Sequence, residues 1–422
     1  MNHNVVVVGG NRTPFAKAGG PLREASNHDL LTAALDGLVA RHGLAGVRLG
    51  EVAGGAVLKH SKDFNLTREA VLSSALSPLT PACDLQQACA TGLETTMYIA
   101  NKIALGQLDA GIAAGVDSTS DAPIAVSDGL RRILLAAQAA KTPAARLKAL
   151  ARIRPSHLAP QAPSVAEPRT GLSMGEHQAL TGARWSVTRE EQDEIAAESH
   201  RKLAAAWQEG FFDDLVTPYL GLAKDAILRP DTTVEKLSAL RPVFGGPEGT
   251  MTAGNSTALS DGAAAVLLAS ETWAKERGLP MLARIVDAEI AAVDHPGGDD
   301  LLLGPVAATG RLLARQGLEV SDFALVEIHE AFASTVVSTL KAWADEEYCR
   351  SLGLDGAIGE LDRDRLNVTG SSLAVGHPFA ATGARLVPTL AKLLHEKGPG
   401  SKGLISVCAA GGQGLVAILE AV

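Results

Sequence analysis

The amino-acid sequence predicts an α/β fold, in which short buried strands alternate with longer amphipathic helices. Short apolar runs and stretches with helical periodicity follow each other along most of the chain. Hydrophobic residues make up 46% of the chain and charged residues 20%, a balance typical of a globular protein with a large core. Because 422 residues exceed the size of an ordinary single domain, we expect two or three domains packed together.

The amino-terminal part contains two clear strand signals and two clear helix signals. Residues 5–8 are four valines, which predict a buried strand. Residues 28–44 have helical periodicity, and Gly43 is a typical helix end. Residues 92–105 predict a second helix, and the small apolar residues 110–116 predict a second strand.

The last third of the chain repeats the same order of elements. The patterns predict strands at residues 282–288, 324–328, 403–407 and 415–420, and helices at residues 306–316 and 383–396.

Two glycine-containing turns are the strongest sign of an internal repeat. Residues 86–92 read Gln-Gln-Ala-Cys-Ala-Thr-Gly, and residues 376–383 read Gly-His-Pro-Phe-Ala-Ala-Thr-Gly. Each turn opens a predicted helix, and an apolar strand follows each helix. This pattern indicates one α/β unit used twice, with Cys89 and His377 at comparable helix starts.

Two segments depart from the regular pattern. Residues 129–166 carry seven basic side chains and no acidic one, although the whole chain has a net charge of −9. Pro143 divides this segment into two short helical pieces. Residues 345–365 are acidic and contain glycine, which predicts an excursion between two core elements.

Charge and cysteine content exclude several classes of protein. A net charge of −9 argues against general affinity for nucleic acid. The chain has four cysteines, too few for a disulfide framework, and no pair has the spacing of a zinc site, so we expect a reducing compartment and no metal. The first residues lack the basic flank of a signal peptide, and no stretch approaches the roughly 20 apolar residues of a spanning helix, so we expect a cytoplasmic protein.

Cys89 is the first candidate catalytic residue. A free thiol has a pKa of about 8.5 and is mostly protonated at neutral pH. A helix N-terminus lowers such a pKa and supplies backbone N–H donors, so we expect activation of Cys89. Ala88, Ala90 and Gly92 leave room for a substrate carbonyl. An isolated cysteine is more often a core residue, but this small-residue turn favours a nucleophile.

Three further residues have settings that suit acid–base chemistry. His377 lies among glycines in GSSLAVGHPFAATG and suits a general base for a thiol, or else caps a loop. Cys408, in SVCAAGGQG, is a second thiol presented by a small-residue loop, as protonation of a leaving enolate would require. His329, in EIHEAFA, can donate a hydrogen bond to an oxyanion, or else lies in a surface loop. Residues 250–268 are poor in bulky side chains, which permits either close approach of a long ligand or tight helix–strand packing.

Five motifs in order resemble the motif series of thiolases over essentially the whole chain: QQACATG, TAGNSTALSDGAAA, HEAFA, GHPFAATGAR and CAAGGQG. RTPF near residue 12 and SMGEHQA at residues 173–179 also fit this family. Most thiolases carry Asn-Glu-Ala-Phe where this chain carries His-Glu-Ala-Phe. That histidine and the extra segment 345–365 resemble the β-subunit type of the fatty-acid-oxidation trifunctional complex.

The resemblance implies a duplicated, five-layered αβαβα core with an inserted loop domain. It assigns residues 1–128 plus about 257–278 to an amino-terminal half, residues 129–256 to the loop domain over the coenzyme A site, and residues 279–422 to a carboxy-terminal half. It also implies a homodimer or homotetramer, and allows a hydratase/dehydrogenase α-subunit as partner.

The activity implied by the resemblance is cleavage of 3-ketoacyl-CoA by coenzyme A, with coenzyme A as co-substrate and no further cofactor. Cys89 gives its proton to His377 and attacks the keto carbon, and Cys408 protonates the acetyl-CoA enolate. The His377 imidazole and a water held by His329 form one oxyanion hole, and the backbone N–H groups of Cys89 and Ala410 form the other. The family usually has glycine in place of Ala410.

Six further positions match residues that line the coenzyme A or acyl path of thiolases: Met174, Phe244, Ala253, Thr257, Ala331 and Phe332. Thr257 stands where many relatives have serine, which keeps a hydroxyl at this position.

Three other functions remain as alternatives. The same residues serve the biosynthetic direction, a Claisen condensation of two acyl-CoA units. A non-catalytic, thiolase-like lipid-binding or scaffold protein would be expected to lack Cys89, His377 or Cys408. A ketosynthase acting on carrier-bound chains usually has a second histidine in place of Cys408.

The basic segment 129–166 has three interpretations. It is a solvated helical hairpin, a contact for coenzyme A phosphates, or an amphipathic surface that meets anionic lipid or a partner subunit. Because the segment is alanine-rich and lacks Trp and Phe, we expect any contact with an anionic membrane to be weak and peripheral.

Overall fold

The structure is a computed structural model that describes residues 4–422. A ten-stranded sheet runs through the molecule with helices on its faces, which confirms the predicted α/β fold. Every strand and helix predicted above is present, with ends shifted by a few residues. The first helix ends at Gly43, whose φ of 64° lies in the left-handed region that glycine adopts without strain.

The elements of the amino-terminal part are β1 (Val5–Arg12), β2 (Ala16–Lys17), α1 (Asn27–His42), β3 (Glu51–Gly54), α2 (Leu66–Ser73), β4 (Ala82–Asp84), α3 (Thr91–Ala104) and β5 (Ala110–Ser118). The middle of the chain forms α4 (Asp128–Ala139), α5 (Pro143–Leu150), α6 (Met174–Arg184), α7 (Arg189–Gln208), α8 (Val234–Ser238), β6 (Pro242–Phe244), β7 (Met251–Thr252), β8 (Ser260–Ser270) and α9 (Glu271–Glu276). The last part forms β9 (Ala283–Ala292), α10 (Gly304–Gln316), β10 (Phe323–Ile328), α11 (Ala333–Ala344), α12 (Glu346–Ser351), α13 (Ser372–Val375), α14 (Ala381–Lys397), β11 (Lys402–Ala409) and β12 (Gln413–Ala421).

The large sheet consists of two halves joined edge to edge. Its strand order is β10-β11-β12-β9-β1-β8-β5-β3-β4, and β2 pairs with β8. The halves meet between β9 and β1, where only Val6 with Arg284 and Val7 with Ala283 form antiparallel pairs. Neighbouring strands within each half pair over longer stretches, as β5 does with β8 and β11 with β12.

Helices cover the outer faces of both half-sheets and also fill the space between them. Helices α1 and α2 pack on the first half, and α10 packs on the second half. Helices α3 and α14 pack against each other in the middle, and α14 contacts strands of both halves. Three buried apolar clusters follow from this arrangement, one central and one under each outer layer. The order helix–sheet–helix–sheet–helix agrees with the expected five layers.

The two central helices cross closely because each has a glycine at the contact. A Cβ on Gly92 of α3 would lie 2.5 Å from the Ala380 carbonyl oxygen. A Cβ on Gly383 of α14 would lie 2.2 Å from the Leu93 nitrogen. Any side chain at these positions would force the backbones apart. The close crossing brings together the turns that precede the two helices, which contain Cys89 and His377.

The basic segment forms a helical hairpin that packs mainly on itself. Pro143 begins α5, so the predicted division at this residue is confirmed. Ile133 and Ala137 are the buried residues of α4, and α5 has none. Leu134, Leu135 and the basic side chains are largely exposed. Within residues 4–422, no helix is long and apolar enough to cross a bilayer.

The acidic segment 345–365 is an excursion, as predicted. It contains α12 and a glycine-containing loop. Cys349 is fully buried, and Leu354 and Ile358 pack against the apolar cluster under α10 and α11. The segment therefore packs on helices α10 and α11 of the second half.

Candidate active site

Cys89 lies in a strained turn immediately before α3. The preceding residue, Ala88, has a φ of 45°, in the left-handed region that residues with a Cβ rarely adopt. The Thr91 hydroxyl accepts a hydrogen bond from the Gln87 N–H (2.8 Å) and donates one to the Ala88 carbonyl (2.7 Å). These bonds hold the unusual backbone in place, so that the position of the thiol is well defined.

The Cys89 thiol is protonated in the resting site, contrary to the expectation from its helix start. Burial raises the pKa of Cys89 to about 12, and the charge of Asp117 acts in the same direction. The backbone N–H groups of Ala410 and of Cys89 itself both donate to Sγ and lower the pKa, but they do not offset the loss of hydration. Cys89 therefore needs a base to become a nucleophile.

Asp117 ties the Cys89 region to the loop that contains His377. Its carboxylate accepts hydrogen bonds from the N–H groups of Val57 (3.2 Å), Leu58 (2.7 Å) and Ala380 (2.9 Å). Burial raises the pKa of Asp117 to about 7 in spite of these three donors. The sequence analysis missed this residue, because a single aspartate at the end of a strand carries no distinctive motif.

His377 is a buried, neutral imidazole between α13 and α14. Its main-chain N–H donates to Ser260 Oγ (3.1 Å), and its Nδ1 lies 2.6 Å from Thr382 Oγ1. Burial, together with the positive charge of Arg385, lowers the pKa of His377 to about 3. The ring is therefore uncharged at neutral pH and has a nitrogen free to accept a proton.

His329 is fully buried beside His377, so the surface-loop alternative is wrong. The two ring centroids lie 4.1 Å apart. Nδ1 of His329 is 2.9 Å from Ser372 Oγ, while Nε2 is buried and has no hydrogen-bond partner among residues 4–422. Burial, followed by the charges of His377 and Arg385, lowers the pKa of His329 well below its usual value. Two neutral imidazoles thus lie side by side.

Cys408 approaches Cys89 from the second half of the sheet. It is the penultimate residue of β11, and the turn to β12 contains Gly411 (φ 81°) and Gly412 (φ 71°), both left-handed. Burial raises the pKa of Cys408, and the nearby Cys89 raises it further. The same turn places Ala410 N–H against Cys89 Sγ.

Glu167 holds the Gly411–Gly412 turn from the middle segment of the chain. Its Oε1 accepts a hydrogen bond from the Gly411 N–H (2.6 Å), and its Oε2 lies 3.8 Å from His295 Nε2. Both side chains are buried. The sequence analysis placed Glu167 in the irregular region between the two halves and gave it no role, since only the tertiary structure brings it to residue 411.

Most of the predicted binding residues lie in one apolar cluster with Cys408. Four predicted binding residues belong to this cluster: Met174, Phe244, Ala331 and Phe332. The rings of Phe244 and Phe332 meet edge to face with centroids 6.1 Å apart. The Thr257 hydroxyl and N–H both donate to the Ala331 carbonyl, at 2.8 and 3.2 Å. Ala253 is exposed and lies outside this cluster.

The grouped side chains are suited to acyl transfer. One thiol receives two backbone N–H donors and lies near a second thiol, and two neutral imidazoles lie side by side in the region that the crossing of α3 and α14 brings toward the Cys89 turn. This set can supply a nucleophile, a base, an acid and hydrogen-bond donors for an oxyanion. In the described part of the chain, no group of three or more His, Cys, Asp or Glu is placed to hold a metal ion.

Comparisons with known proteins identify the family. The model of the thiolase N-terminal domain matches residues 5–272, and that of the thiolase C-terminal domain matches residues 279–421. A 3-ketoacyl-CoA thiolase of Yersinia pestis (strain Pestoides F) is 40% identical over 423 aligned residues, which cover 99% of this chain and 96% of the relative.

Two solved structures agree with this result. The Bacillus anthracis acetyl-CoA acetyltransferase superposes with a TM-score of 0.83 at 30% identity, covering 100% of this chain and 99% of that one. The human mitochondrial 3-ketoacyl-CoA thiolase, in a structure with CoA, superposes with a TM-score of 0.81 at 28% identity, covering 100% of this chain and 98% of that one. The chain therefore belongs to the thiolase family and is an acyltransferase.

Proposed function

We propose that this enzyme cleaves a 3-ketoacyl-CoA with coenzyme A, giving acetyl-CoA and an acyl-CoA shortened by two carbons. The proposal is supported by the neighbouring thiols of Cys89 and Cys408, with two backbone N–H groups directed at Cys89 Sγ, and by the adjoining rings of His329 and His377. The relatives named 3-ketoacyl-CoA thiolase support the same activity.

The first half of the proposed reaction forms an acyl-enzyme. His377 accepts the proton of the Cys89 thiol, and the thiolate attacks the keto carbon of the substrate. The backbone N–H groups of Cys89 and Ala410 donate to the keto oxygen, which later becomes the acyl carbonyl oxygen. A water held by His329, together with the His377 imidazole, stabilises the negative charge on the enolate oxygen of the leaving acetyl-CoA. The bond between C2 and C3 then breaks, its electron pair passes to the acetyl-CoA enolate, and the acyl group stays on Cys89.

The second half releases both products. The raised pKa of Cys408 keeps its thiol protonated at neutral pH, so this side chain can give a proton to the enolate carbon. The Cys408 thiolate then takes the proton of the incoming coenzyme A thiol, whose sulfur attacks the acyl carbonyl on Cys89. The N–H groups of Cys89 and Ala410 donate to that carbonyl oxygen, and the methyl group of Ala410 leaves its N–H available. Cys89 departs as a thiolate and recovers its proton from His377.

The biosynthetic condensation of two acyl-CoA units is the second candidate, because it reverses the same steps. The structural similarity to an acetyl-CoA acetyltransferase supports this second candidate. A test measures coenzyme A-dependent cleavage of 3-ketoacyl-CoA esters across a series of acyl lengths, and condensation of acetyl-CoA in parallel. Faster cleavage than condensation at matched concentrations is expected, and no cleavage at any length would refute the proposal.

We further propose that the enzyme acts in fatty-acid β-oxidation in the cytoplasm, as a homodimer or homotetramer. The His-Glu-Ala-Phe motif and the segment 345–365, which resemble the trifunctional β-subunit type, support this role and an α-subunit partner. The strand β4 lies at one end of the sheet and is partly exposed, so its outer edge can pair with a second copy. We also propose the division of the chain into three parts. These are an amino-terminal half (residues 1–128 with about 257–278), a loop domain (129–256) and a carboxy-terminal half (279–422).

The basic hairpin, residues 129–166, is proposed as a weak contact for an anionic membrane surface. Its basic side chains and the exposed Leu134, Leu135 and Leu147 support such a contact, while its lack of Trp and Phe limits it. Flotation with anionic and with neutral vesicles at low salt tests the idea. Co-flotation with the anionic vesicles alone is expected, and its absence refutes this contact.

We expect the carboxylate of Glu167 to support the rate of turnover, because it fixes the Gly411–Gly412 turn. Glu167→Ala removes the acceptor of the Gly411 N–H, so the Ala410 N–H and Cys408 lose their fixed positions. We expect kcat to fall about 10- to 100-fold, and Glu167→Gln, which keeps a side-chain oxygen, to lose less. Steady-state kinetics with Glu235→Ala, an exposed position, as control measures this effect. Wild-type kcat in Glu167→Ala would contradict it.

A further inference from the structure

A buried chain of hydrogen bonds links Arg385 to His329 through Ser372. The guanidinium Nη2 of Arg385 lies 3.1 Å from Ser372 Oγ, and this oxygen lies 2.9 Å from Nδ1 of His329. All three residues are buried. The chain leads from α14 through α13 to the histidine that follows β10.

The positions of the hydrogen atoms follow from the donors and acceptors present. A guanidinium can only donate, so Ser372 Oγ accepts from Arg385. Apart from Arg385, the Ser372 hydroxyl has only one polar partner in residues 4–422, which is His329 Nδ1. If Nδ1 carried a hydrogen, Ser372 would accept twice and its own buried O–H would find no acceptor. The fully paired arrangement has Ser372 donating to Nδ1.

This arrangement selects one tautomer of His329. A neutral imidazole that accepts at Nδ1 carries its hydrogen on Nε2. Nε2 of His329 is the buried atom without a protein partner, and its ring lies beside that of His377. The side chain therefore presents an unpaired N–H donor inside the site, opposite the edge that Ser372 holds.

We propose that Ser372 and Arg385 are positioning residues that hold His329 as the Nε2–H tautomer, so that it always presents a hydrogen-bond donor to the reacting oxygen or its water. The inference rests on the proposed function for the identity of that oxygen. The tautomer itself is a property of the resting enzyme.

The surroundings keep the Arg385 guanidinium fixed. It donates to Ser371 Oγ as well as to Ser372 Oγ, both at 3.1 Å. The buried carboxyl groups of Glu327 and Glu330 interact favourably with its charge. Glu330 is in turn held by the side chains of Ser199 and Asn367 and by the Leu373 N–H. A planar guanidinium with two directed N–H bonds is not matched by a lysine ammonium.

Ring-nitrogen NMR of the whole enzyme with ¹⁵N-labelled histidine reads the tautomer directly. The His329 signals are assigned by their loss in His329→Asn. We expect an unprotonated Nδ1 and a protonated Nε2 in the wild type, and a shift toward protonated Nδ1 in Ser372→Ala. A wild-type spectrum with protonated Nδ1 overturns the proposal, whether or not the enzyme cleaves 3-ketoacyl-CoA.

Kinetics separate a positioning role from a merely structural one. We expect Ser372→Ala to lower kcat about 10- to 100-fold with little change in KM. Ser371→Ala is the matched control, because Ser371 accepts from the same Arg385 nitrogen but does not contact His329. A smaller loss in that control supports the proposal, and an equal loss overturns it.

A second background completes the test. An asparagine amide always offers N–H donors and has no tautomer to select. In enzyme that already carries His329→Asn, we therefore expect Ser372→Ala to leave kcat almost unchanged. An equal cost in both backgrounds means that Ser372 serves only packing, and this overturns the proposal. If the wild type lacks cleavage activity altogether, the proposed function fails while the NMR result still decides the tautomer.

Discussion

Replacing Cys89 by serine is expected to abolish the acyl-enzyme and to reduce cleavage of 3-ketoacyl-CoA by at least about 10³-fold. An alcohol is far less acidic than a thiol, and burial already raises the pKa of Cys89 to about 12. A serine hydroxyl therefore gives up its proton to His377 much less readily than the more acidic thiol does. The two backbone N–H donors remain, so substrate binding is expected to survive.

The measurement combines kinetics with mass spectrometry of the intact protein. Wild-type enzyme exposed to 3-ketoacyl-CoA without added coenzyme A is expected to gain one acyl group on the peptide that contains Cys89. Cys83→Ser is the matched control, since Cys83 is the other partly exposed cysteine and lies on β4. If acylation were lost in Cys83→Ser but kept in Cys89→Ser, Cys83 would be the nucleophile and the prediction for Cys89 would be contradicted.

Replacing His377 by asparagine is expected to lower kcat by about 10²- to 10⁴-fold, the usual range for a general base. Because burial raises the pKa of Cys89 far above neutral pH, only a very small fraction of the enzyme carries the thiolate at pH 7. Without the imidazole, the enzyme depends on this small fraction.

The pH dependence of the rate distinguishes loss of the general base in His377→Asn from a general loss of structure. Since the raised pKa of Cys89 lies far above neutral pH, the thiolate fraction rises about tenfold per pH unit in this range. The residual rate of His377→Asn is therefore expected to climb steeply with pH, while the wild-type rate changes much less. His395→Asn, an exposed position on α14, serves as control. A flat profile in His377→Asn would show that the thiol proton does not limit the reaction.

Local patterns in the sequence were sufficient to predict the elements and the site-bearing turns. Apolar periodicity depends on neighbouring residues, so the strand at residues 5–8 and the helix ending at Gly43 could be located without the fold. The similarity of the turns around Cys89 and His377 indicated one repeated α/β unit with these residues at comparable helix starts, and the structure brings the two turns together. Gly92 and Gly383 are the physical reason, because they let α3 and α14 cross closely.

Contacts between distant segments could not be predicted in this way. Glu167 lies in an irregular, proline-rich region and reaches Gly411 only in the folded chain. Ser372 and Arg385 belong to a recognised motif region, but their bonds to His329 depend on how α13 and α14 pack beside β10. Asp117 likewise acquires its three backbone partners from two separate loops.

The sequence by itself determined the α/β fold and the repeated helix-start turns, and it singled out the thiols and imidazoles proposed for the chemistry. Only the tertiary structure decided the protonation states of those groups. The expected activation of Cys89 by its helix start was wrong, because side chains and backbone from remote segments remove water from the thiol and raise its pKa. Burial depends on everything that covers a residue, and no local motif contains that information.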